Sequence, residues 1–235
     1  MKLKIKRIIT LVYGPKKYLK MTLYFLSGLG ADKRIFQKLH LPDHYSIIHV
    51  EWIKPLQNES IANYALRLSA SINRDEAFGI IGLSFGGIMA LELSKIVSLA
   101  QTIIISSISS KKQLPPSFSI MKFLFLHKFI PERFLKIKNK FVYWFMGART
   151  IREKAVFNQI LKDTEITFFR WAISSILHWK HTAKIPNLYH IHGTSDNIFP
   201  IEYTSPDYKI EGGGHLMVYS NATEVSSILT NILKQ

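Results

Sequence analysis

The sequence predicts an α/β domain on a mainly parallel sheet of about six strands, with helices on both faces and one helical insertion. Three observations carry this. From Met21 onward, short apolar runs alternate with amphipathic stretches. Several of the runs end in glycine or serine turns, as buried parallel strands do. The alternation breaks once, between about residues 110 and 185, where the pattern stays helical. A chain of 235 residues can bury one sizeable core, and 47% hydrophobic against 20% charged residues places it with globular rather than disordered chains.

The elements follow in order. TLYFLSG (22–28) is apolar and ends in a glycine turn, and YSIIHVEW (45–52) is similar. SIANYALRLSASI (60–72) has apolar residues at 61, 65, 68 and 72, a helical spacing, with Ser60 placed to cap it. AFGIIGL (77–83) is a buried-strand run, and FGGIMALELSKIV (85–97) is the helix after it. QTIIIS (101–106) is a strand again. The insertion contains SIMKFLFLHKFIPERFLKIKNKFVYWFMG, broken at Pro131, and then IREKAVFNQILKDTEITFFRWAISSIL, both helical. NLYHIHG (187–193) returns to strand, DYKIEGGG (207–214) is a short strand into a loop, and ATEVSSILTNIL (222–233) is a closing helix.

Residues 1–20 are basic, and their longest uncharged stretch is only Ile8 to Pro15. No small-residue cleavage site follows, so they do not match a secretory signal. They are expected to be an extension, or translation is expected to begin at Met21. No run approaches the roughly 20 apolar residues of a membrane span. The chain has no cysteine, which removes disulfides, a thiolate nucleophile and cysteine metal sites, and suits a reducing, cytoplasmic setting.

The net charge is +15, and residues 111–180 supply 14 Lys/Arg against 4 Asp/Glu, two thirds of the excess. A solvated helical face explains such charge, and so does an anionic substrate or a weak peripheral contact with an acidic membrane. No nucleic-acid-binding motif accompanies it, so no nucleic acid partner is expected.

In an open α/β sheet, ligands bind at the carboxyl ends of the strands. The first strand delivers Ser27-Gly28-Leu29-Gly30 there, and the third delivers Gly82-Leu83-Ser84-Phe85-Gly86-Gly87. The strand at 187–193 leads into HGTSDNIFP with Asp196, and the next into EGGGHLM with His215. A serine hydroxyl attacks only when a base takes its proton, and neutral imidazole can be that base. Asp196 would fix the imidazole tautomer and stabilise the imidazolium. The Phe85 N–H, at a helix N-terminus, suits an oxyanion, and Leu29 could give a second N–H.

These motifs resemble the α/β-hydrolase family. G-L-S-F-G (82–86) is similar to its nucleophile elbow, and the order Ser…Asp…His is the family's. H-G-T-S-D-N-I-F-P (192–200) and G-G-G-H (212–215) look like its acid and histidine loops. The resemblance covers roughly residues 21–235 and implies a core of 21–110 and 186–235 with a helical cap at 111–185. It implies Ser84 as nucleophile, Asp196 as acid and His215 as base, with Leu29 and Phe85 forming the oxyanion hole. Three features depart from the family. Ser27-Gly28 stands where it often has His-Gly, only 19 positions separate Asp196 from His215, and the first antiparallel hairpin is missing or reduced to one edge strand from residues 2–13.

The expected function is hydrolysis of a small-molecule carboxylic ester or thioester. The same triad also serves carbon–carbon bond hydrolysis or lyase chemistry, and the fold can act as a non-catalytic small-ligand receptor. The aromatic insertion (Phe123, Phe125, Phe129, Phe141, Trp144, Phe145, Phe168, Phe169, Trp171) favours a hydrophobic acyl or aryl group, with most of these rings expected in the cap's own core. No metal is expected, because His190 and His192 share a strand face without a third ligand. His178 and His181 are expected on the cap surface. No dinucleotide cofactor is expected either. Gly28-x-Gly30 is followed by Glu51 at a suitable distance, but Lys33 occupies the third glycine position, and the one Tyr-x-x-x-Lys, Tyr13 to Lys17, precedes the loop. Asn221-Ala222-Thr223 is read as a chance glycosylation pattern. The oligomeric state is left open.

Overall fold

The computed structural model describes residues 21–97, 101–123 and 139–235. The expectations for residues 1–20 and for the break at Pro131 lie outside the described residues. Six parallel strands form one sheet: β1 (Thr22–Leu26), β2 (Ser46–His49), β3 (Phe78–Leu83), β4 (Gln101–Ile105), β5 (Leu188–Gly193) and β6 (Tyr208–Ile210). Their order is β2-β1-β3-β4-β5-β6. The chain moves outward from β1 to β2 and then returns across β1 to β3, so the topological switch lies between β1 and β3. The crevice beyond their carboxyl ends is where such sheets bind ligands.

Alternation along each strand feeds two cores. Tyr24, Leu26, Ile80 and Ile104 face one side, where α1 (Ile61–Leu68) and α2 (Phe85–Leu93) cover them. Leu23, Phe25, Ile81, Ile103 and Ile105 face the other, under α8 (Ala222–Ile232) and the short α7 (Met217–Ser220). The short α7 was not visible in the sequence, which lacks room there for a periodic pattern. Ser60 caps α1 by accepting the Asn63 N–H, as its position predicts. Every residue of α2 is buried, and all but one are apolar. Its lone acid, Glu92, is buried too, where it accepts the Trp179 indole N–H at 2.7 Å and pairs with Lys95.

Four described helices lie between β4 and β5: α3 (Pro116–Phe123), α4 (Lys140–Met146), α5 (Ile151–Asp163) and α6 (Ile166–His178). The run read as helical over 151–177 splits at Thr164 and Glu165. Thr164 takes an extended backbone, and the Glu165 carboxylate caps α6 through the Thr167 and Phe168 amides. Phe168, Ala172 and Ile176 of α6 join the core over α2. Phe168 therefore belongs to the main core and not to a separate cap core. His181 is also inside, stacked on Trp179 at 5.3 Å, which corrects its expected surface position, while His178 is exposed. Among the described residues no helix is long and apolar enough to cross a membrane.

The crossing of β1, β3 and α2 leaves no room for side chains. A Cβ on Gly86 would lie 2.3 Å from the Leu26 carbonyl oxygen and 2.4 Å from that of Ser27. Gly212 has φ +67° but no atom within 4 Å of such a Cβ. Gly86→Ala is therefore expected to cost 2 kcal/mol or more, roughly, and Gly212→Ala about 1 kcal/mol from backbone strain alone. Urea unfolding of the two variants checks this. Equal midpoints would mean that the crossing is not close-packed.

Candidate active site

Ser84 lies in the switch crevice between β3 and α2. Its backbone has φ 53° and ψ −117°, a conformation that a non-glycine residue holds only under constraint. The Ser84 N–H donates to the Ile105 carbonyl at 2.9 Å, and the Ser107 hydroxyl donates to the Ser84 carbonyl at 2.8 Å. A Cβ on Gly82 would meet the Gly86 carbonyl oxygen at 2.3 Å, so the turn closes only with glycine there. The result is a serine at the apex of a sharp turn, partly exposed while its neighbours are buried.

His215 reaches it from the loop after β6. Its Nε2 is 2.9 Å from Ser84 Oγ, and its Nδ1 is 2.8 Å from Asp196 Oδ2. A carboxylate only accepts, so Nδ1 carries the proton and Nε2 is left to accept the serine hydroxyl. Asp196 is held by the Ile198 and Phe199 amides on its other oxygen, at 2.8 and 3.0 Å. Burial works against its charge, but His215, His192 and the Phe199 amide outweigh it and hold the carboxyl below the usual carboxylate range. The three residues named from the strand ends are thus brought into one hydrogen-bonded line.

The acid and histidine loops are knitted together by backbone. Thr194 N–H donates to Ile210 at 3.0 Å, and Ser195 N–H donates to Gly213 at 2.9 Å. A Cβ on Gly193 would fall 2.2 Å from the Gly213 carbonyl oxygen. The short spacing between Asp196 and His215 therefore joins two loops in direct contact. Gly147, the left-handed cap of α4, packs against Gly214 on the far side. Asn197 donates to the Trp144 carbonyl at 3.1 Å, and Arg149 donates to the Gly212 carbonyl at 3.2 Å.

The Leu29 and Phe85 amides have no acceptor among the described hydrogen bonds. The loop after β1 lies against the serine, since a Cβ on Gly28 would be 3.4 Å from Ser84 Cβ. Ser27, at the position where His-Gly was the alternative, accepts the Trp52 indole N–H at 3.0 Å and donates to the Ala31 carbonyl at 2.6 Å. It braces the loop. Gly30 is closed off by Thr164, whose hydroxyl would be 2.6 Å from an added Cβ. The strand order, 2-1-3-4-5-6, differs from the 3-2-1-4-5-6 usual for a dinucleotide-binding sheet.

Sequence reasoning missed the bracing residues Ser107, Trp52, Thr164 and Gly147. Only Gly147 left a signal, as a glycine directly after a helical run. The aromatic residues of α4 are also not where they were expected. Phe141, Trp144 and Phe145 face solvent and not a cap core. A groove of about 590 Å³ runs between residues 58–61 and α6, but its lining excludes the serine, the acid and the histidine.

Behind the acid lies a buried pair. His192 Nε2 donates to the Phe199 carbonyl at 2.7 Å, leaving Nδ1 to accept from His190 Nε2 at 3.0 Å. The pair hydrogen-bonds internally, and among the described residues no group of three His, Cys, Asp or Glu could hold a metal. Burial, with His192 beside it, pushes His190 down from 6.5 to about 3, and burial lowers His192 as well. Between these limits the unfolded chain binds protons that the folded chain refuses, so stability is lost as pH falls from about 6.5 towards 3. One such group contributes a slope of about 1.4 kcal/mol per pH unit. His190→Gln should flatten the decline in urea stability between those limits, and an unchanged slope would contradict the neutral, buried assignment.

Neither protein-family models nor curated protein sequences match this chain. Solved structures do. A hydrolase from Oleispira antarctica is similar with a TM-score of 0.73 at 15% identity, over 92% of this chain and 91% of that one. An esterase from Exiguobacterium antarcticum gives 0.69 at 15% identity, over 92% of each chain. A lipase–esterase related protein from Clostridium acetobutylicum gives 0.67 at 17% identity, over 92% of this chain and 96% of that one. Together with the all-parallel six-stranded sheet and its covering helices, these similarities place the chain in the α/β-hydrolase fold.

Proposed function

We propose that the protein is a serine hydrolase that cleaves a carboxylic ester or thioester through an acyl-enzyme. The observation that carries this reading is the line from Ser84 Oγ through His215 to buried Asp196, at 2.9 and 2.8 Å. Structures described as esterases and a hydrolase among the similar ones support acyl chemistry on this fold. Ser84 Oγ attacks the substrate carbonyl as His215 Nε2 takes its proton. The developing oxyanion is met by the Leu29 and Phe85 N–H groups. The intermediate collapses, and His215 returns the proton to the departing alkoxide or thiolate. Water, deprotonated by the same imidazole, then releases the carboxylic acid and restores Ser84.

The acyl or aryl group is proposed to be hydrophobic. Leu29, in the loop that lies against the serine, and Trp52 pack on a buried cluster containing Phe85 and Phe168, with Trp52 5.5 Å from Phe85 and 5.3 Å from Phe168. Residues 111–185 are proposed as the cap. Three ties support this: Thr164 to the Gly30 carbonyl, Asn197 to Trp144, and Arg149 to Gly212.

Two measurements test the reading. Ser84→Ala should lower kcat/KM on a short p-nitrophenyl ester by roughly 10³-fold or more, and Asp196→Asn by a comparable factor, each with an unchanged far-ultraviolet spectrum. Unchanged turnover in Ser84→Ala would refute the nucleophile. A series of acyl lengths offered as esters and thioesters should peak above acetyl, and a flat profile would remove the hydrophobic acyl site.

A further inference from the structure

Helix α4 (Lys140–Met146) is apolar on two sides. Val142, Tyr143 and Met146 pack against the core. Phe141, Trp144 and Phe145 stand on the opposite side at helical spacing, 66%, 61% and 37% exposed. Their rings rest on one another, with Phe141 5.9 Å from Trp144 and 6.0 Å from Phe145. Ile151, 86% exposed, opens the next helix four residues past Gly147. A cluster of exposed aromatic rings of this kind marks a binding surface.

The surrounding charge says what kind. Lys140, Arg149 and Arg152 are exposed around the patch. The one acid in this stretch, Glu153, is buried and spent on capping, accepting the Arg149 and Thr150 amides. An occupant apolar at its centre and anionic at its rim matches these residues. A second copy of this chain fits poorly, because each copy carries +15 and would set basic rim against basic rim. An anionic bilayer fits both demands. Phe and Trp settle at the boundary of headgroup and acyl chain, and basic side chains meet the lipid phosphates.

We propose that α4 is a peripheral anchor that docks the protein on an anionic lipid surface through Phe141, Trp144 and Phe145. Its Trp144 carbonyl accepts from Asn197 of the acid loop, and Gly147 packs against Gly214 of the histidine loop. Docking through α4 therefore brings the acid and histidine loops next to the lipid surface. If the hydrolase reading above holds, the substrate class becomes acyl compounds dissolved in that surface.

The test is co-sedimentation of the whole chain with phosphatidylcholine vesicles, with and without about 30% phosphatidylglycerol. The native chain and Ser84→Ala should both bind the anionic vesicles, more weakly at about 0.5 M salt, and Trp144 fluorescence should shift to the blue. A Phe141→Ser/Phe145→Ser variant should partition about tenfold more weakly, while its turnover of a short soluble ester stays native. The proposal falls if the native chain ignores both vesicles, binds neutral ones equally, or binds unchanged in the double variant. It falls too if the native chain forms a concentration-dependent dimer that the double variant loses. Binding by a chain that hydrolyses no ester would keep the anchor and remove the hydrolase reading.

Discussion

Ser84 holds φ 53° and ψ −117° because Gly82 and Gly86, two positions to either side, carry no side chain. The rest of the site depends on that constraint. Gly82 lets the chain turn back on Gly86, and Gly86 lets α2 sit against the Leu26 and Ser27 carbonyls. The Ser107 hydroxyl and the Ile105 carbonyl then fix the serine peptide from β4. The cost of the strained backbone, of order 1–3 kcal/mol, is offset by the buried helix that follows it. All nine residues of α2 are buried, which ties the elbow to the core between the sheet, α1 and α6.

The second half of the site is held in a different way. Asp196 and His215 come from neighbouring strands, and the turns behind them interlock through Gly193 and Gly213. Asp196 stays ionised in a buried position because two amides and the imidazole meet it. His192 fixes the Phe199 carbonyl one peptide away, and the Phe199 ring packs edge-on to His215 at 5.9 Å. The acid loop is thus clamped from the strand side and from the ring side. Positional precision of this kind is what separates a serine that attacks from one that only caps a turn.

Much of this was legible in the sequence. Strand runs such as FGIIGL are apolar throughout because both faces are covered, and their ends place Ser84, Asp196 and His215 by topology alone. Spacing along the chain carried that information because parallel strands put every carboxyl end on one edge of the sheet. Residues whose roles depend on contacts distant in sequence were not legible. Thr164 reaches Gly30 across 134 positions, and Trp171 reaches the Glu59 carbonyl across 112. His181 reads as a polar surface residue, yet it lies inside, stacked on Trp179 and holding the Lys111 amide with its carbonyl. The aromatic residues of α4 misled in the opposite sense. Composition suggested a core, but a short helix packing one side on the domain must leave the other side out.

The central claim is that Ser84 is activated by His215 and Asp196, and a fluorophosphonate probe reads that activation directly. Intact-mass and peptide analysis after brief exposure should find one adduct, on Ser84, formed much faster in the native chain than in Asp196→Asn. A native chain that stays unlabelled, or one labelled at the same rate without the Asp196 carboxylate, would contradict it.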